Sequence, residues 1–255
     1  MLHKIAIAIP TYHSVPTAVF AAFLQLDRKN VPVTSTTISS GVYLSAAMRS
    51  FRDNLLDSGD PFERLLIIEA DMILPRDALR RHAEHTEPIV GSVYFQHSAP
   101  YMPIFTAPAD DVDYHRTFTC QEVSDMLETP GLYETVNVGF GCTSIRRDVL
   151  EDWPSKSPMF GNREGLTSDG KPVEMGHDVA FMLEARRYGW KSYVDTNIVC
   201  GHISETVVTP DHFLANDPNL RRVDKRNHMG TTTDTIRNLD LAGVPTGGQV
   251  RDARS

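Results

Sequence analysis

Uniformly apolar runs alternating with amphipathic stretches organise the first 95 residues. Residues 5–9 (IAIAI) read as a short strand buried on both faces, where no polar alternation is needed, and Pro10 ends it. Residues 16–26 carry Val19, Phe20, Phe23 and Leu24 at helical spacing, and Pro16 suits a first turn. Residues 31–38 are rich in β-branched side chains and predict a second strand. A helix over 42–56 is closed by Ser58-Gly59. Residues 64–68 (RLLII) predict a third strand, 77–85 a helix preceded by Pro75, and 88–95 a fourth strand. This β-α-β-α-β-α-β order predicts a parallel sheet with helices on both faces.

The pattern then loosens. Residues 96–129 hold Pro100, Pro103 and Pro108 and read as loops, with one short helix near 123–127. A strand is expected over 133–138, a short helix over 146–151 and a loop over 155–173. Residues 178–188 place Val179, Met182, Leu183 and Arg186 at helical spacing, with Gly189 as the stop. Short strands follow at 191–194 and 197–200. Beyond residue 208 the chain turns polar. The expected division is one domain over 1–208 and a C-terminal extension over 209–255, partly disordered or packed over the domain.

Composition adds mainly exclusions. Hydrophobic residues at 41% and charged residues at 23% fit a globular chain. Cys120, Cys142 and Cys200 are odd in number and lack C-x-x-C spacing, so neither a disulfide framework nor a cysteine zinc site is expected. The net charge of −8 argues against tight sequence-independent DNA binding, although Arg221, Arg222, Lys225 and Arg226 form a basic cluster. The opening MLHKIAIAIP lacks the apolar length of a signal peptide, and no run reaches the roughly 20 residues of a membrane span. A cytoplasmic protein is the expectation.

In an open α/β sheet, ligands bind beyond the carboxyl ends of the strands, so the residues after each strand are the candidates. Pro10-Thr11-Tyr12-His13 follows the first strand, Glu69-Ala70-Asp71 the third and Gly201-His202 the last. Strand-end carboxylates suit Mg²⁺ or Mn²⁺ beside a diphosphate, or they simply close a turn. His202 is a candidate imidazole donor or an ordinary hydrogen-bonded histidine. Asp178 is either a helix cap or a base for a hydroxyl. Arg52 and Asn54 lie on the second helix, where Arg52 could pair with phosphate or remain solvated. The glycines of Asn137-Val-Gly-Phe-Gly-Cys142 permit a close approach of backbone to ligand, or a tight turn. No three-glycine dinucleotide fingerprint and no phosphate loop ending in Gly-Lys-Ser/Thr occurs.

Taken in order, IAIAIPTY, FRDN, LLIIEADMILP, PIVGSVYF, VNVGFGCTSIRRDVL, GHDVAFMLEARRYGWKSYVD and CGH resemble GT-A glycosyltransferases, particularly short bacterial and bacteriophage-encoded members. The resemblance covers residues 4 to 203. It implies an α/β fold with a Rossmann-like, mostly parallel sheet flanked by helices and a small C-terminal extension. It also implies that Pro10, Thr11 and Tyr12 contact the nucleotide, and that Arg52 and Asn54 lie at the donor. Glu69-Ala70-Asp71 stands where the family has Asp-x-Asp. The resemblance further implies that Asp71 and His202 hold Mn²⁺ or Mg²⁺ and that Asp178 is the catalytic base of an inverting enzyme. Two departures are visible: Glu69 replaces the first acid of that motif, and His177-Asp178 replaces the usual Glu-Asp pair.

The implied activity moves a sugar from a nucleotide-sugar, a UDP-sugar by the habit of metal-using members, to an acceptor hydroxyl. A hydroxylated base in phage DNA and a glycan are the candidate acceptors, with no membrane partner; a phage-encoded protein would work in the host cytoplasm. Two rival readings remain: a nucleotidyltransferase on a related fold, and a non-catalytic carbohydrate- or nucleic-acid-binding protein. The first turn, PTYHSVP, lacks the glycines and basic residues that nucleotidyltransferases usually place there.

Overall fold

The computed structural model describes residues 1–11, 14–41, 43–108, 115–154, 159–166, 172–204 and 207–217. The apolar runs of the first half become β1 (Ile5–Thr11), β3 (Arg64–Ile68) and β5 (Ile89–Val93), and the β-branched run becomes β2 (Val33–Ser40). Between them lie α1 (Thr17–Leu24), α2 (Leu44–Asp57), the short β4 (Met72–Ile73) and α3 (Ala78–Glu84). The second half comprises β6 (Phe105–Pro108), β7 (His115–Thr117), α4 (Cys120–Glu128), β8 (Leu132–Thr135), β9 (Asn137–Val138), β10 (Cys142–Arg146) and α5 (Arg147–Glu151). It closes with β11 (Arg163–Leu166), β12 (Pro172–Met175), α6 (His177–Arg187), β13 (Ser192–Val199), β14 (Gly201–Ile203), β15 (Val207–Val208) and α7 (Pro210–Leu214).

The central sheet has seven strands in the order β2-β1-β3-β10-β5-β13-β8. Alternate residues of its strands feed two cores. Ala6, Ala8, Leu65 and Ile67 join Met48 and Phe51 of α2 on one face, with Phe181 of α6 in the same cluster. Ile5, Ile7, Ile9, Leu66 and Ile68 join Ala78, Leu79 and Ala83 of α3 on the other. Each fully buried Leu, Ile, Met or Phe side chain among them contributes roughly 1.5–3 kcal/mol by leaving water, and each alanine less. The result is a mixed α/β fold, broadly Rossmann-like, with helices on both faces of the sheet.

The sheet is less parallel than the alternation of elements predicts. β10 runs antiparallel between β3 and β5, and β8 runs antiparallel to β13 at the edge. Thus β3 and β5 are separated by a strand that the sequence conceals. Cys142-Thr-Ser-Ile-Arg146 shows no apolar run because its buried polar groups are satisfied inside the protein. Thr143 Oγ1 donates to Gly139 O at 2.6 Å, and Ser144 Oγ accepts from Arg64 Nη2 at 3.0 Å. Arg64 is fully buried, and its Nη1 also donates to the carbonyls of His85 and Glu87.

Other differences share this character. The segment expected as loops over 96–129 contains β6 and β7, and its helix starts earlier, at Cys120, where Thr119 and Glu122 make a reciprocal capping box. The expected loop over 155–173 contains the β11–β12 hairpin. The two short strands expected near residue 195 form one strand, β13, with an irregularity between Asp195 and Val199. In the C-terminal extension, α7 buries Phe213 and Leu214 in the main core, with Phe213 stacked on Phe95 at 5.5 Å. The basic cluster at Arg221 to Arg226 lies outside the described residues. Among the described residues no helix is long and apolar enough to cross a membrane.

Candidate functional site

The carboxyl end of β3 carries Glu69 and Asp71, and a second, smaller sheet returns a distant segment to that end. β14 pairs antiparallel with β4, placing His202 opposite Met72, and Ile203 N–H donates to Asp71 O at 2.9 Å. This ladder joins residues 131 apart in sequence and holds His202 Nε2 at 3.2 Å from Asp71 Oδ2.

The hydrogen bonds around His202 define what the pair can accommodate. Its Nδ1 donates to Phe95 O at 2.7 Å, since a carbonyl can only accept. In neutral imidazole Nε2 is then a lone pair, and it faces a carboxylate oxygen. Two acceptors in contact require a proton or a cation between them. Burial lowers the affinity of His202 for a proton, but the hydrogen bonds to Asp71 and Phe95 and the charges of Asp71 and Glu69 outweigh it, and the net shift is upward. Asp71 Oδ1 is itself buried without a hydrogen-bond partner.

These donors fit a hard or borderline divalent ion. Ligands at right angles on an ion with bonds of about 2.1 Å stand about 3 Å apart, close to the observed spacing. Among the described residues, however, no group of three or more His, Cys, Asp or Glu side chains is arranged to hold a metal. Two protein donors would leave the other positions of such an ion to be filled by water or ligand oxygens.

Three further groups belong to this neighbourhood. Glu69 is partly buried, and its carboxyl is pushed up to about 8, first by burial, then by the charges of Asp71 and Asp178, with His202 opposing. Asp178 sits in the first turn of α6, where its Oδ1 accepts from Val179 N–H at 2.8 Å. Tyr94, just beyond β5, is buried; its phenol is raised first by burial and then by Glu69, Asp178 and Asp71. Its Oη accepts from Gly141 N–H at 2.9 Å, while Gly141 O accepts from Glu69 N–H at the same distance. Tyr94 therefore ties the Gly139–Gly141 turn to the acidic end of β3.

That turn explains its glycines without a ligand. A Cβ on Gly139 would lie 2.0 Å from Tyr94 Oη, and one on Gly141 would lie 2.7 Å from Tyr94 Cζ and 2.9 Å from Met72 Sδ. The close approach that these glycines permit is made to the Tyr94 ring and its neighbours.

The structure gathers Glu69, Asp71, Asp178 and His202 around Tyr94, with Ala70 part-buried between the two acids. Pro10 and Thr11 end β1, the strand beside β3, and Thr11 Oγ1 is buried without a partner. Tyr12, expected to stack on a base, lies outside the described residues. Arg52 and Asn54 are not brought to the site. α2 starts near the carboxyl end of β2 and runs back along the sheet, so both residues lie more than two turns away from that end. Arg52 Nε donates to Leu150 O and its Nη1 to Asp53, and Asn54 Nδ2 donates to Ser50 Oγ. Arg52 thereby links α2 to α5.

Sequence reasoning missed Tyr94, which ends an apolar strand and carries no sequence signal of its own. His97 follows β5 at the same end of the sheet. It is exposed, and its ring centroid lies 5.0 Å from that of His202.

Fold and site together define a broadly Rossmann-like mixed α/β protein with a carboxylate–imidazole centre at the carboxyl ends of its strands. No protein-family model matches the chain, and no curated protein matches it in sequence. Among solved structures it is similar to A197 from STIV, with a TM-score of 0.55 and 16% identity over 82% of this chain and 91% of that one. That likeness shows a shared fold. The inositol-1-phosphate CTP transferase from T. maritima aligns over 80% of this chain and 91% of that one at 10% identity, with a TM-score of 0.38.

Proposed function

We propose that this protein is a divalent-metal-dependent glycosyltransferase on a GT-A type fold, moving a sugar from a nucleotide-sugar, with UDP as the nucleotide, to an acceptor hydroxyl. The observation that carries the reading is the Asp71–His202 pair: two acceptor atoms 3.2 Å apart at a strand end, beside an orphaned carboxylate oxygen. These two side chains would hold Mn²⁺ or Mg²⁺, which when bound stabilises the charge developing on the departing nucleoside diphosphate. Thr11, with its unpartnered hydroxyl, and Pro10 border the nucleotide side, and Glu69-Ala70 line the same edge. Asp178 holds one oxygen on its own helix and offers Oδ2 to take the proton of the attacking hydroxyl. A glycan and a hydroxylated DNA base are the acceptor classes to be separated by assay.

Nucleotidyl transfer would use the same pair and break a different bond. Against it stands the turn after β1, Pro10 to Pro16, which contains no Gly, Lys or Arg to cradle a triphosphate.

The test is a thermal-shift panel of nucleotide-sugars with and without Mn²⁺, followed by product analysis. A UDP-sugar at a hundredfold excess over its Kd stabilises the fold by about 2.7 kcal/mol, and only with metal present. Asp71→Ala removes that metal-dependent shift. Asp178→Asn keeps it and loses transfer. Pyrophosphate released from a nucleoside triphosphate and a sugar phosphate would replace this reading with nucleotidyl transfer. A panel in which no nucleotide-sugar shifts the transition with Mn²⁺ would end it.

A further inference from the structure

We propose that the free edge of β2 is a self-association surface, on which a second copy of this chain pairs antiparallel about a two-fold axis through Thr37, joining two central sheets into one. The proposal is independent of the chemistry at Asp71 and His202.

β2 ends the central sheet on one side, and among the described residues it pairs only with β1. An edge strand presents unpaired N–H and C=O groups, and monomeric proteins blunt such edges with charge, proline, bulges or brevity. The opposite edge shows two of these devices. β8 has four residues, and its Glu134 forms ion pairs with Lys191 and Arg186. β2 has eight residues, Val-Thr-Ser-Thr-Thr-Ile-Ser-Ser, with neither charge nor proline. Its one register shift falls at the start, so residues 35–40 lie in unbroken register with residues 6–11.

The strand is also uncovered on the face where a helix would be expected. α1 packs against β4. Ile38 pairs with Ile9 and so points to the same side as the core of Ile5, Ile7 and Ile9, yet it is 57% exposed. Thr36 and Thr37 beside it are exposed as well.

A second copy suits this edge for reasons of charge and symmetry. The chain carries a net charge of −8, so two copies repel where charged faces meet. A neutral strand lets their backbones approach without opposing carboxylates. A two-fold axis normal to the sheet keeps like faces together, so directly opposed residues share a face. Centred on Thr37, it sets Thr37 against Thr37 of the second copy, Ile38 against Thr36 and Ser35 against Ser39. Hydroxyl and β-branched pairs of this kind are favourable cross-strand neighbours. β2, β1 and β3 are mutually parallel, so antiparallel pairing points the carboxyl ends of the two sheets in opposite directions. Each Asp71–His202 centre therefore stays open.

The test is sedimentation velocity of the full chain from about 1 to 100 µM, together with site-directed cross-linking. Wild type is expected to form a concentration-dependent dimer. Ile38→Glu and Thr37→Lys, each present twice in the dimer, should raise its Kd at least about tenfold. Thermal melts matching wild type show that the variant monomers stay folded. With the part-exposed Cys120 replaced by serine, Thr37→Cys should form an intermolecular disulfide under mild oxidation, since opposed Cα atoms in an antiparallel pair stand about 4.5–5.5 Å apart. Thr34→Cys, three positions from the axis, should not. A wild type that stays monomeric throughout the range overturns the proposal. So does a dimer that neither substitution weakens, because its contact then lies elsewhere. A dimer that both substitutions weaken, but that Thr37→Cys does not cross-link, overturns the axis through Thr37.

Discussion

Replacing Gly139 by alanine tests the packing that holds the candidate site together. The added Cβ would lie 2.0 Å from Tyr94 Oη and 2.4 Å from Ile104 Cγ2. Neither neighbour can retreat easily. Gly139 N–H donates to Ile104 O at 3.0 Å, Gly139 O accepts from Thr143 Oγ1 at 2.6 Å, and Tyr94 Oη is held by Gly141 N–H. Overpacking a filled interior costs about 1–3 kcal/mol, and with backbone pinned on both sides the upper end applies. For a chain of this size each kcal/mol lowers Tm by roughly 2–4 °C, so Gly139→Ala should melt about 6–12 °C below wild type. Urea melts of Gly139→Ala, Tyr94→Phe and the double variant check the cause. Tyr94→Phe removes the atom nearest the new Cβ but strips Gly141 N–H of its acceptor, a loss of about 1–3 kcal/mol on its own. The double variant should therefore be less destabilised than the sum of the singles by at least about 1 kcal/mol. A Gly139→Ala protein within about 0.5 kcal/mol of wild type, or a cycle with no coupling, would refute the reasoning.

Two further predictions concern the polar interior. Asp195 is buried and accepts from Asn197 N–H and Nδ2, with His85 Nε2 2.9 Å away; burial raises its carboxyl, but these hydrogen bonds outweigh it and the net shift is downward. A depressed carboxylate stabilises the fold above its unfolded value of about 3.9 and loses that contribution as pH falls through the folded value. Asp195→Asn should therefore cost about 1–3 kcal/mol near neutrality, with the gap to wild type narrowing in urea melts as pH drops below 4; a gap that is constant with pH excludes the linkage. Arg64→Met leaves the His85 and Glu87 carbonyls and Ser144 without their donor. It should destabilise the fold by at least about 2 kcal/mol, and a neutral result in chemical denaturation would show that the buried guanidinium is dispensable.

Much of the scaffold was legible because local periodicity reports which faces are covered. Ile5–Ile9, Arg64–Ile68 and the helical spacing from Val179 to Arg186 each found its element in the expected place. The rule that ligands gather at strand carboxyl ends singled out Asp71 and His202, which the fold then set side by side. It gave no purchase on Arg52, because a charged residue on an amphipathic helix reads alike whether it meets a ligand or a carbonyl of α5.

The chain by itself determined the main strands and helices of the first 95 residues, the helix from Val179 to Arg186 and the residue types available at those strand ends, since these depend on spacing over a few residues. Only the tertiary structure decided that β10 is inserted antiparallel at the centre of the sheet, that Gly139 and Gly141 make room for Tyr94, and that His202 meets Asp71. Strand order and side-chain contact across 131 residues follow from register and from buried polar groups finding partners on distant strands. Those choices minimise the energy of the whole packed molecule, and no short window of sequence contains the partner atoms that make them.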